Sequence, residues 1–266
     1  MSLAKCALSL LILSLTSTAC PIPSPAPSPL LAQTPFYINL NVNPSKPSKS
    51  LPTTFIPGTL YDLDLFDVPS STFAAIASSG AFPICYFSAG TYEDWRPDAA
   101  LLKPYRGKSL PDWAGEWYVD VRKQGVRDVM AARLKLAKEK GCVGVDPDNV
   151  DLWQNENGVG LTREDGLEYL KWLAEEAHKS GLIIGLKNDP DHVPDVVDDY
   201  DFAVVEECLQ YNFCPSFSPF VAKGKPVFAI EYNISKSKAC PKFNTLGFSG
   251  YVQRGYDLRG KGTGCL

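Results

Sequence analysis

Residues 142–188 read CVGVDPDNVDLWQNENGVGLTREDGLEYLKWLAEEAHKSGLIIGLKN. The apolar run 142–148 and the second run 182–188 have the length and β-branched content of buried strands. Between them, 162–180 repeats with helical spacing. Leu167, Leu170, Leu173, Ala174 and Ala177 share one face, Thr162 is a good N-cap with Asp165 at N3, and Gly181 fits the residue after the helix. Strand, long helix, strand is the crossover that joins parallel strands.

Outward from this unit the pattern recurs. Short apolar runs bounded by Gly, Pro or Asp occur at 36–42, 60–66, 83–89, 116–120, 201–207 and 226–232. A second helix is expected over 122–140, with Val126, Met130, Leu134 and Ala137 inward and Gly141 closing it. Eight strand candidates alternating with helices predict an α/β fold, a (β/α)8 TIM barrel. An open doubly wound sheet is the alternative. No Gly-x-Gly-x-x-Gly or Walker loop follows the early strands, which weakens any nucleotide-binding reading.

The chain has 266 residues, 45% hydrophobic and 21% charged, with net charge −4. No basic face suggests nucleic acid, so no nucleic-acid partner is expected. Residues 1–19 read as a signal peptide: Lys5 precedes an apolar run too short to span a bilayer, and Ser17 and Ala19 mark the cut. Residues 20–34 form a Pro/Ser-rich linker, and 35–266 one catalytic domain. Cys6 lies in the signal. Cys20 stands at the predicted +1 position, where a lipid anchor attaches in bacterial lipoproteins. Cys85, Cys142, Cys208, Cys214, Cys240 and Cys265 follow. With no Cys-x-x-Cys pair, disulfides in an extracellular, secreted protein are the better reading than a metal site.

The ends of the runs are polar. Asp62 and Asp64, Tyr86 and Ser88, Asp120, Asp146 with Asp148 and Asn149, Lys187 and Asn188, Glu206 and Glu207, and Glu231 with Tyr232 all fall there. In barrels the C-terminal ends of the strands carry the active site. Asp62, Asp64 and Asp120 have a plainer reading as helix caps. The run from Asp146 to Asp151 fails the EF-hand pattern, because Val150 stands where an oxygen ligand is needed. Only His178 and His192 are available, neither follows a strand, and no Gly-x-Ser-x-Gly elbow is present. His178 reads as a cation at a helix end. Neither metal nor cofactor is expected. Carboxylate chemistry remains, and glycosidic hydrolysis needs a pair of carboxyl groups. Tyr86, Trp95, Trp117, Trp153 and Tyr232 are aromatics able to stack on sugar faces or simply to pack.

The ordered set of runs — YDLD (61–64), ICYFSAG (84–90), YEDWRPD (92–98), DPDNVD (146–151), GLKND (185–189), DFAV (201–204) with Glu206 and Cys208, and Glu231-Tyr232 — resembles glycoside hydrolase family 114, the endo-α-1,4-polygalactosaminidases. The resemblance spans residues 60–232. It implies a (β/α)8 barrel, cleavage of α-1,4-linked galactosamine in a microbial exopolysaccharide, and Asp148 with Glu206 as the catalytic pair. Two departures stand out: no tryptophan precedes Trp95, and Val205 replaces the family's usual asparagine before the catalytic glutamate.

Deacetylated galactosamine is cationic. A cleft lined by Asp62, Asp64, Asp120, Asp146, Asp151 and Glu231 would therefore attract a cationic amino-sugar polysaccharide. Tyr86, Ser88, Asn149, Lys187, Asn188 and Tyr232 complete the expected binding set. The disulfides expected are Cys85–Cys142, Cys208–Cys214 and Cys240–Cys265, in a protein acting as a monomer. The competing reading is a carbohydrate-binding barrel at the cell surface that no longer catalyses. An intact carboxylate pair argues against it.

Overall fold

The computed structural model describes residues 30–43, 45 and 50–266. The expected signal peptide, most of the expected linker, and Cys6 and Cys20 lie outside them.

Eight parallel strands form the barrel: β1 (Phe36–Asn39), β2 (Leu60–Asp64), β3 (Phe82–Ser88), β7 (Gly144–Asp148), β8 (Ile183–Lys187), β9 (Phe202–Glu206), β10 (Val227–Glu231) and β11 (Ser249–Val252). A short β12 (Thr263–Gly264) pairs antiparallel with β11. The ring is drawn shut between β1 and the C-terminal end. The Phe36 ring lies 5.0 Å from Phe228 and 5.8 Å from Tyr251, and Leu40 N–H donates to the Leu258 carbonyl at 2.8 Å.

Alternation divides each strand between two cores. Ile38, Leu60, Ile84, Phe202, Val204, Phe228, Ile230 and Tyr251 fill the interior, while the opposite faces pack on the helices. At Gly185 a Cβ would stand 2.3 Å from the Phe202 ring, so only glycine lets that ring fill the barrel below Lys187.

Two helices follow the sequence pattern closely. α3 (Gln124–Lys140) buries Val126, Met130, Leu134 and Ala137 and closes on Gly141 at φ 91°. α4 (Arg163–Lys179) starts at a capping box between Thr162 and Asp165. The other helices are α1 (Ser70–Ser78), α2 (Ala99–Leu102), α5 (Val193–Val196), α6 (Ser218–Ala222) and α7 (Lys236–Leu246). Among the described residues no helix is long and apolar enough to cross a membrane.

One strand assignment is corrected. Run 116–120 is not the fourth barrel strand. Its core, β6 (Glu116–Val119), is the middle of a separate antiparallel sheet with β4 (Thr91–Glu93) and β5 (Arg106–Ser109), inserted after β3. The remaining barrel strand is β11, whose Ser-Gly-Tyr-Val sequence is too short and glycine-interrupted to signal a strand. The disulfides are Cys85–Cys142, joining β3 to the segment before β7, Cys208–Cys214 behind β9, and Cys240–Cys265, tying the tail to α7.

Candidate active site

Three adjacent strands end in the residues that define the site. β7 delivers Asp148, β8 Lys187 and β9 Glu206. Each chain then turns abruptly through a left-handed residue: Asn149 at φ 60°, Asn188 at φ 51° and Glu207 at φ 55°. Asparagine tolerates this backbone well, whereas glutamate adopts it at a cost, and such strain gathers at functional sites.

Lys187 is buried. Its ammonium lies 3.0 Å from Asp148 Oδ1 and 3.1 Å from Glu206 Oε2, so one cation spans both carboxylates. It also sits 5.7 Å from the centre of the Tyr86 ring. Burial alone would lower the Lys187 pKa, but the charges of Asp148 and Glu206 carry it well above the ordinary lysine value.

Asp148 accepts from Tyr86 Oη at 2.6 Å and from the Asn149 N–H at 2.7 Å. Burial would raise its carboxyl. Lys187, Tyr86 and the Asn149 N–H outweigh burial and hold it below the usual carboxylate range. Glu206 accepts a short hydrogen bond from the Tyr232 hydroxyl, and its backbone N–H donates to Asn188 Oδ1 at 2.9 Å. The Tyr232 ring packs at a tilt of 44° on Tyr256, centres 4.7 Å apart, and borders a cleft of about 1020 Å³, lined also by Asn233, Gln253, Arg254 and Lys261.

The inserted sheet adds a carboxylate that the sequence reading did not single out. Glu116 takes the Thr91 hydroxyl; Thr91 in turn bonds Ser88, and Asn149 Nδ2 donates to Ser88 Oγ at 3.0 Å. Burial is the main cause that pushes Glu116 up to about 7, with the charges of Glu93 and Asp148 acting in the same direction. Asp151, half-buried, is likewise raised to about 7 by burial and by the charges of Asp148 and Asp189. Glu116 gave no signal because its run passed for a barrel strand.

The expected ring of ligand-binding acids is largely corrected. Asp64 is locked to Arg96 (2.8 and 3.1 Å) and accepts the N–H groups of Phe66 and Asp67, so it caps the end of β2. Asp120 follows the inserted sheet and pairs with Arg122 at 2.8 Å. Glu231 points away from Ile230 and Tyr232, out of the barrel, and accepts the Leu209 N–H at 2.7 Å. Asp62 and Asp146 are fully buried inside the barrel. Asn188 Oδ1 accepts the Glu206 backbone N–H. Both histidines are structural: His178 bonds Asp201 at 2.9 Å and buried His192 bonds Asp189 at 2.7 Å.

Comparison with known proteins follows from this geometry. The family model of Glycoside-hydrolase family GH114 matches residues 17–265. Ega3 from Aspergillus fumigatus, solved in complex with galactosamine, is 37% identical over 88% of this chain and 96% of its own, with TM-score 0.81. The glycoside hydrolase domain of PelA from Pseudomonas aeruginosa shares the fold at 14% identity, covering 88% of this chain and 98% of that one, TM-score 0.64. A β-L-arabinopyranosidase from Geobacillus stearothermophilus does so at 13% identity, with coverage of 86% and 73% and TM-score 0.55. Comparison with curated proteins gave no match.

Proposed function

The chain belongs to glycoside hydrolase family GH114, and we propose that it is a secreted endo-acting hydrolase of α-1,4-linked galactosamine in a microbial exopolysaccharide. The observation that carries this reading is the pair of carboxylates held on one buried ammonium at the mouth of the barrel. A barrel that only bound sugar would have no use for such a pair. The likeness to Ega3, whose structure contains galactosamine, supports the sugar. The three disulfides and the leader-like residues 1–19 support export.

Asp148 suits the role of nucleophile, because its depressed pKa keeps it ionised. Glu206 suits the acid/base, which gives a proton to the leaving oxygen and then takes one from water. The two oxygens on Lys187 are at most the sum of its two contact distances apart, about 6 Å. That limit favours the retaining geometry, near 5–5.5 Å, over the 6.5–9.5 Å of inversion. Tyr232 fixes the direction of the Glu206 carboxyl, Asn188 holds its backbone, and Tyr86 fixes Asp148.

The reading is tested by incubating the protein with matched polymers, one deacetylated and one fully N-acetylated, and sizing the products. Shortening of the deacetylated polymer alone is expected. Equal cleavage of both would remove the amino group as the recognised feature.

A further inference from the structure

Asp62 and Asp146 play no part in the mechanism above, yet they occupy its foundation. Strand alternation puts Asp146 on the same inward face as Asp148, one pleat deeper; Asp62 lies on the inward face of β2, one pleat below the level of Asp146 across β3, with its carboxyl within reach of Asp146. Both are 0% exposed. Among the described residues, none of their four side-chain oxygens meets a hydrogen-bond donor. No group of three acidic, histidine or cysteine side chains there is arranged to hold a metal ion. Two bare carboxylates facing each other in a barrel interior would repel at great cost, so a proton between them is the simplest way to satisfy the oxygens.

We propose that Asp62 stays protonated at working pH and donates to Asp146, and that this pair is a positioning element setting the charge beneath Lys187, Asp148 and Glu206. The assignment of donor follows from topology. Asp146 stands on β7, next to β8; burial pushes its carboxyl up to about 7, but the Lys187 charge and a hydrogen bond from Asp62 act the other way, whereas Asp62 stands two strands away on β2. The groups facing Asp146 are Asp62, Lys187, Asp148 and Glu206, and those facing Asp62 are Asp146, Lys187 and Asp148. Burial, then the charge of Asp146, raises the Asp62 carboxyl well above its ordinary value, in keeping with the donor role. Asp62 is therefore a neutral donor and not a ligand for the substrate's ammonium.

This inference rests on Asp148 and Glu206 being the working pair, and the test separates the two. Asparagine at position 62 keeps a donor toward Asp146 and no charge. Asp62→Asn should hold kcat/KM within about twofold of the parent and keep its pH profile. Asp146→Asn takes away the charge beneath Lys187, next after those of Asp148 and Glu206. With one negative charge fewer beneath the site, the alkaline limb of kcat/KM moves to lower pH.

A second readout needs no activity. At pH ~8, above the value of about 7 of Glu116 and Asp151, the infrared carbonyl band of a protonated carboxyl should be present in the parent and in Asp148→Asn. Its intensity should fall by one carboxyl in Asp62→Asn. The proposal is overturned if Asp62→Asn moves the pH profile as Asp146→Asn does, if Asp146→Asn moves nothing, or if the band is undiminished in Asp62→Asn. Failure of the catalytic reading would appear separately, as an active Asp148→Asn.

Discussion

Lys187 is the residue on which the site depends, because a buried ammonium is stable only with the two carboxylates it touches, and they hold their geometry only with it. Replacing it by methionine keeps the stem and removes the charge. Asp148 then loses the main influence that depresses its pKa, so its carboxyl rises and the acidic limb of kcat/KM moves to higher pH. A fall in kcat of about 100-fold or more should accompany it. A pH–rate profile of Lys187→Met checks both, and an unmoved acidic limb would mean that the lysine only packs. The same depressed carboxyl stabilises the fold above the ordinary aspartate range and loses that contribution as pH falls through its lowered value. Asp148, Lys187 and Glu206 were visible in the sequence as strand-end residues. Their contacts were not, because nothing in a run such as GLKN says that its lysine lies between two acids on the flanking strands.

Elements explain which strand-end acids stand at the barrel mouth and which are taken up by the fold. Asp64 ends β2 on the inner face but is taken up by Arg96, itself paired with Glu93 at 2.8 Å, so three buried charges anchor the inserted sheet to the barrel. Asp64→Asn should lower stability by roughly 2–4 kcal/mol, since Arg96 loses part of its compensation, while KM stays unchanged. Thermal melts and kinetics on one preparation decide it: a raised KM with an unchanged melt would return Asp64 to the substrate. The parallel frame was legible because helix caps such as Thr162 with Asp165 and the long apolar faces of α3 and α4 are local signals. The inserted sheet was not. An aromatic-rich run such as EWYV has the composition of any strand, and pairing direction is set by partners far along the chain. Glu231 was misread for a related reason: its face of β10 depends on a register fixed by β9 and β11.

Across the whole molecule, charge bears on substrate capture less through a broad acidic ring than through a few groups at the mouth. The net charge is only −4. Asp151 is half-buried beside Asp148 and is drawn to about 7 by burial and by its acidic neighbours, so an incoming ammonium would restore its ionisation. Asp151→Asn should raise KM for deacetylated oligomers by roughly 3- to 10-fold with kcat little changed, the signature of uniform binding. Added salt should raise the parent's KM as well, because exposed charges are screened within about 8 Å at physiological ionic strength. A KM insensitive to both changes would remove charge from recognition. The most direct test of the central claim uses defined α-1,4-galactosamine oligomers, with products read by mass spectrometry, for the parent protein and for Asp148→Asn checked to melt at the parent's temperature. Internal cleavage by the parent and a loss of at least about 1000-fold in the variant are predicted; oligomers left intact by the parent, or cut as fast by Asp148→Asn, would contradict it.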